Sequence, residues 1–380
     1  MNTSRKPDLL SMPPKNTTKM WIIATLVLSV FLAAGCHLLK VTGKVPSGAE
    51  LAKIKSLPNY RNGEFQNIDS AGIELGKVNP FTVIRDMMNR PKTVRPSRPL
   101  PAIIADLKSL RAGEPIVVWF GHSSFLVKTS GANILVDPDF SGYAGPYSWM
   151  VPAFKGSDIY HVGDLPEIDI LLISHDHYDH LDYETIRKLK GKVKRVVVPV
   201  GVGSHFVYWG YDPNIITELN WNEAVRLSET LRITATPARH ESGRSLKLKK
   251  TLWASYVIEA DGKKIYYSGD SGYGRHFKTI GKTFGPFDLA LMECGQYNIK
   301  WITNHMLPVQ TAQAAVDLRA KVILPVHWAK FIEAYHPWNE PVKKLLIAAD
   351  SLKIAVTVPE IGEPYILGSQ VMTKPWWDFD

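Results

Sequence analysis

Three imidazoles and two carboxylates fall within six residues, His175-Asp176-His177-Tyr178-Asp179-His180, directly after the apolar run Asp169-Ile170-Leu171-Leu172-Ile173-Ser174. That density reads as a metal site. Imidazole and carboxylate are the ligand types that suit zinc and its first-row neighbours, and a strand ending in a rigid loop can aim several of them at one point. The fold must therefore end a strand here and bring other ligands to it.

From Ile116 onward β-rich runs alternate with helical patterns. Strands are expected at 116–120, 125–128, 134–136, 170–174, 196–200, 231–236, 255–258, 265–268, 289–292 and 322–326. Helices are expected at 182–190, 309–318 and 341–349, the last with Pro341 in its first turn. This order predicts an α/β sandwich, and no internal repeat is evident. Four of the strands deliver ligand-type residues at their ends: His175 after Ser174, His240 after Ala238-Arg239, Asp270 after Ser268-Gly269, and His327 after Val326. Functional residues collect outside one end of the strands in open α/β sheets, so these distant positions can converge.

The 380 residues carry a formal net charge of +9, all of it N-terminal: residues 1–115 hold 17 Lys/Arg against 8 Asp/Glu, and residues 116–380 hold 28 against 28. A nucleic-acid enzyme would place its positive field around the active-site domain, so no nucleic acid is expected and a membrane-facing arm is favoured. Arg5, Lys6, Lys15 and Lys19 precede an apolar stretch, Met20 to Ala34, that ends in Leu32-Ala33-Ala34-Gly35-Cys36. This is the shape of a signal peptide. Small residues before a cysteine resemble the lipobox of bacterial lipoproteins, which implies cleavage before Cys36 and a lipid on its thiol; extension through Leu39 would instead give an uncleaved anchor. Either way the expectation is export and anchoring in the cell envelope. Cys36 and Cys294 are the only cysteines, so no disulfide is predicted, and Cys294 reads as buried filler. The expected organisation is an anchor segment over 1–36, an extended arm or flexible spacer over 37–98, and a main domain over 99–380.

With His240, Asp270 and His327 in order behind it, His175-x-His177-x-Asp179-His180 resembles the metallo-β-lactamase superfamily. Trp119-Phe120-Gly121-His122-Ser123-Ser124, Asp137-Pro138-Asp139-Phe140, His180-Leu181-Asp182-Tyr183, Gly269-Asp270-Ser271-Gly272-Tyr273 and Val326-His327-Trp328 are similar to its N-acyl-phosphatidylethanolamine-hydrolysing phospholipase D group, over about Asn79 to His336. The resemblance implies an αββα four-layer sandwich holding two divalent metal ions, zinc first among the candidates. His175, His177 and His240 would hold one ion, Asp179, His180 and His327 the other, and Asp270 would bridge them. Two close cations lower the pKa of a bridging water toward about 7 and stabilise charge on an attacked oxygen. Asp179 and His305 are the implied catalytic residues, His305 as proton donor or phosphate holder. Gln296 and Asn304 depart from the group, which more often has Ala and Gln there, and Arg239 stands where it has Gln.

Of the other polar residues, Asp176 and Asp182 are expected to support ligands or cap a helix, and His122 to be a buried turn histidine behind the site. His37, His161, His205, His276 and His336 read as surface. Tyr143, Tyr147, Trp149, Tyr208, Trp209 and Trp301 could line an acyl groove or stabilise loops. The expected function is hydrolysis of a phosphodiester in an N-acyl phosphatidylethanolamine-like phospholipid, by metal-bridging hydroxide, at a membrane surface. Alternatives are a lactone or small cyclic ester hydrolase of the ascorbate lactonase kind, then a nuclease or β-lactamase, and in another class a non-catalytic lipid- or metal-binding lipoprotein.

Overall fold

Residues 117 and 119 of the first long strand point one way, 116 and 118 the other, and all four are buried. A strand with two apolar faces needs cover on both sides, and this alternation dictates the layering. The computed structural model describes residues 17–69, 85, 89–111 and 113–379. Arg5, Lys6 and Lys15, and the arm's positions 70–84 with Asn79, lie outside the described residues.

After a short hairpin of β1 (Tyr60–Arg61) and β2 (Glu64–Phe65), the first sheet is built from β3 (Ile116–Trp119), β4 (Phe125–Lys128), β5 (Asn133–Val136), β6 (Ile168–Leu172), β7 (Val193–Pro199) and β8 (Ile216–Leu219). The second comprises β9 (Ala224–Arg226), β10 (Leu231–Thr236), β11 (Ser255–Ala260), β12 (Lys263–Tyr267), β13 (Leu289–Glu293), β14 (Val322–Val326) and β15 (Ala355–Val356). A last strand, β16 (Pro364–Ile366), returns to the first sheet beside β3. The sheets thus run β16-β3-β4-β5-β6-β7-β8 and β9-β10-β11-β12-β13-β14-β15. In each, the first three pairings are antiparallel and the last three parallel. The chain therefore folds the same half twice, a repeat its residues do not betray.

Val117, Trp119, Ile134, Ile170 and Leu172 face the second sheet's Ile233, Tyr256 and Tyr267 in one core. Their neighbours Ile116, Val118, Leu135, Leu171 and Ile173 form another core with Ile186, Leu189 and Phe206 of the covering helices. On the far side Ala312, Ala315, Leu318, Val342 and Leu345 cover the second sheet. This is the αββα sandwich expected. The three predicted helices form over Tyr183–Leu189, Pro308–Leu318 and Glu340–Ser351; Asp182 caps the first by accepting from the Glu184 N–H.

The compact unit begins at Gly43. Residues 43–69 pack on the sandwich: a short helix over Gly48–Ile54 and the β1–β2 hairpin bury Ile54, Tyr60 and Phe65 against Leu252 and Trp253. The described residues of the preceding unit form a helix, Thr17–Thr42, which runs unbroken through Cys36. Its stretch Lys19–Thr42 is long and apolar enough to cross a membrane.

Candidate metal centre

Every strand end singled out in the sequence opens on the same spot. Backbone strain marks the place: His122, Asp137 and His327 all adopt positive φ, of 50°, 38° and 66°, a region non-glycine residues enter at a cost that clusters at functional sites. Gly269, with φ 54°, delivers Asp270; a β-carbon there would lie 2.7 Å from the Ala254 carbonyl.

In the first cluster, His177 Nδ1 lies 2.9 Å from His175 Nε2 and 3.2 Å from His240 Nε2. Asp270 Oδ2 is 3.8 Å from His175 Nε2 and 3.6 Å from His240 Nε2. The other oxygen, Oδ1, sits 3.2 Å from both His180 Nε2 and His327 Nδ1, and Asp179 Oδ2 is 3.4 Å from His180 Nε2. All seven predicted residues are therefore together, and Asp270 gives one oxygen to each group. His122 joins the second, with Nε2 2.9 Å from Asp179 Oδ2.

The ring tautomers show what these atoms face. Asp137 is fully buried and receives His180 Nδ1 at 2.8 Å and Ser174 Oγ at 2.5 Å on its Oδ2. Because Ser174 donates there, its oxygen accepts from His175 Nδ1 at 3.0 Å. His240 Nδ1 donates to the Asn304 carbonyl at 3.1 Å, and His327 Nε2 faces Glu333 Oε2 at 3.1 Å. With a cation bound, His175, His180, His240 and His327 would keep their protons on these outer partners and turn lone pairs inward, the way outer partners orient metal-binding histidines. His180 Nε2 and Asp270 Oδ1 are buried with no hydrogen-bond partner, an expense that a bound cation removes. Both groups have the ligand number and chemistry to hold a metal ion.

Charge divides the two groups: burial lowers His180 and His327, but Asp270 and the neighbouring carboxylates outweigh it and raise both above the ordinary imidazole range. Burial and the neighbouring imidazoles hold His175 well below the ordinary imidazole range. Burial also outweighs Asp270 at His240 and keeps that ring neutral. Burial alone would raise Asp270, but His180 and His327 pull it well down, leaving a carboxylate between the clusters.

His305 closes one side. Its ring stacks on His327 at 5.1 Å and meets His240 edge-on at 5.1 Å, and Nδ1 lies 3.2 Å from Glu293 Oε2. Burial lowers this imidazole, but the Glu293 carboxylate more than offsets it and the net shift is upward. Arg239 donates to the Tyr273 carbonyl, while Glu241 accepts from Asn304. Cys294 is buried, and burial beside Glu293 pushes its thiol up, so it is filler as expected.

Two histidines read as surface are not. His205 is buried with Nε2 3.0 Å from Asp176 Oδ2, and its Nδ1 accepts the Lys44 N–H at 3.1 Å. His276 is buried against Ser271, its pKa lowered by burial to about 3. His336 is half-buried and accepts from the Tyr297 N–H, whereas His161 is exposed. Asp176 also takes the Thr251 hydroxyl and the Gly243 N–H, so it braces the ligand loop. Buried Arg244 adds a clamp by donating to the carbonyls of Asp176, His177 and Leu181. Glu293, Glu333 and Arg244 carried no sequence signal, each standing alone in apolar or loop surroundings.

The family model described as a beta-lactamase superfamily domain matches residues 132–328, which include all seven clustered residues. The chain belongs to the metallo-β-lactamase superfamily. A protein of Mycobacterium tuberculosis is 37% identical over 91% of this chain and 96% of its own length. The N-acyl-phosphatidylethanolamine-hydrolyzing phospholipase D 1 of Caenorhabditis elegans is 30% identical over 64% of this chain and 74% of its own. The outer membrane protein RomA of Klebsiella pneumoniae is 58% identical over 27% of this chain and 78% of its own. Among solved structures, Igni18, a metallo hydrolase of Ignicoccus hospitalis, matches with a TM-score of 0.52 at 22% identity, over 67% of this chain and 99% of that one, and shares the fold.

Proposed function

We propose that this metal-dependent hydrolase of the metallo-β-lactamase superfamily cleaves a phosphodiester bond in an N-acyl phosphatidylethanolamine-like phospholipid. The observation that carries the reading is Asp270, whose two oxygens serve two adjacent ligand clusters at 3.2–3.8 Å. His175, His177 and His240 would hold one ion, Asp179, His180 and His327 the second, and Asp270 both, with zinc suiting the imidazole-rich set. Divalent cations bound there supply Lewis-acid stabilisation of a phosphoryl oxygen and make water acidic enough to ionise near neutrality.

The chain's own groups do the rest. Asp179, oriented by His122, keeps a carboxylate edge at the mouth of the site. His305, held through Nδ1 by Glu293, has Nε2 left to give a proton to the departing alkoxide. Similarity to the Caenorhabditis elegans phospholipase supports the lipid substrate. The apolar helix Lys19–Thr42 and the short match to RomA support an anchored protein of the cell envelope, held by that helix. Purified, metal-quantified protein offered N-acyl phosphatidylethanolamine should release phosphatidic acid and the N-acylethanolamine. Rapid opening of lactones with the lipid untouched would overturn this in favour of a lactonase.

A further inference from the structure

Three loops frame the opening above the clusters. Residues 141–153 give Ala144 and Val151 to a cavity of about 260 Å³ whose other walls include His177, Tyr178, Asp179 and Phe331. Residues 242–250 reach the same wall through Tyr178, whose hydroxyl donates to the Arg244 carbonyl at 2.7 Å while the Arg244 guanidinium lies 4.1 Å over its ring. Residues 298–304 arrive through Asn304, which bonds to His240 and Glu241.

Each loop leaves large apolar side chains in solvent. Trp149 is 75% exposed and Met150 45%, Leu246 is fully exposed and Leu248 48%, and Ile299 is 69% exposed. Exposed Lys247 and Lys300 stand beside them, with half-buried Lys249 and Lys250 behind, and none of the three loops contains an Asp or Glu. A scattered exposed leucine needs no account, but tryptophan, methionine, leucine and isoleucine gathered with lysines on three acid-free loops around one mouth do.

We propose that this rim is a bilayer-docking surface that seats the mouth of the site on an anionic leaflet. Tryptophan and aliphatic tips suit the headgroup boundary, and lysines are drawn to anionic lipid. A second copy of the chain is disfavoured as occupant, because a self-complementary contact would set lysines against lysines. The proposal rests on the functional reading only in taking the apolar helix to enter a bilayer; catalysis does not enter it.

The test uses the full-length, metal-loaded protein reconstituted in phosphatidylglycerol-containing vesicles whose acyl chains are brominated or plain, with wild type compared to Trp149→Phe. Trp149 is so exposed that its loss leaves folding intact. Both proteins should float with the vesicles, and bromine should quench the wild type more, the excess being absent from Trp149→Phe. That excess should fall in pure phosphatidylcholine and in a Lys247→Glu/Lys300→Glu variant. Equal quenching of wild type and Trp149→Phe in floating protein would overturn the docking surface while leaving the anchor standing, and failure to float would overturn the anchor. Trp149-dependent dimerisation in place of quenching would overturn the bilayer as occupant.

Discussion

Replacing Asp137 by Asn should disable both ligand clusters although Asp137 belongs to neither. Its Oδ1 accepts the Ser174 N–H at 2.7 Å, and its Oδ2 accepts three donors: Ser174 Oγ at 2.5 Å, His180 Nδ1 at 2.8 Å and the Tyr267 hydroxyl at 2.5 Å. An amide can keep its oxygen toward the Ser174 N–H only by turning its NH2 group on those three. His180 must then move its proton to Nε2, the atom facing Asp270 and Asp179. Ser174 Oγ must accept from the amide and donate to His175 Nδ1, which shifts that ring's proton to Nε2 as well. Loss of such an outer partner lowers metal affinity about 10–100-fold, equivalent to about 1.4–2.7 kcal/mol. Each buried donor left without a partner costs a further 1–3 kcal/mol or so of stability. Competition against a chromophoric chelator, with metal content measured alongside, should show the weaker affinity for both ions, and the metal-free variant should melt below the metal-free wild type. Wild-type affinity in a well-folded Asp137→Asn protein would refute this account of how the rings are oriented.

Three further outcomes are expected. Asp270→Asn should lower the number of bound ions and abolish hydrolysis, whereas His161→Ala should change neither; elemental analysis with a turnover assay reads both. Gly272→Ala would place a β-carbon 2.0 Å from the Thr303 carbonyl oxygen, so it should displace the segment leading to His305, cost several kcal/mol in denaturant unfolding and slow turnover more than it weakens metal binding. Half-buried Glu218, raised to about 7 by burial and by Glu50, favours its protonated form in the folded state. Its contribution is therefore complete below pH 4.5 and lost as the pH rises through 7, so Glu218→Gln should flatten the fall in stability over that window, gaining about 1–3 kcal/mol at pH 8 by urea titration.

The ligand set was legible because apolar runs of strand length end abruptly in His or Asp, and the family order of those ends made convergence a strong expectation. What escaped has physical reasons. The strands β8, β9, β15 and β16 are short or half-exposed edges without a full alternation. The helix over Gly203–Tyr208 is too short to show a period, so His205 looked like a loop residue. The helix over His276–Phe284 carries Gly281, whose missing β-carbon allows approach to the Asp317 carbonyl, and a glycine mid-helix reads as a break. Asp137 was visible only as part of a resemblance; that one carboxylate orients two rings depends on three chain segments meeting, which no local pattern encodes.

The return of Pro364–Ile366 to pair with Ile116–Trp119 has a consequence for biosynthesis. The edge of the earlier-made sheet stays open until every strand of the second sheet has been synthesised, because the piece that closes it follows them all in the chain. A nascent polypeptide arranged this way carries an unpaired rim through the synthesis of its whole second half, a period in which mispairing with another molecule competes with correct closure.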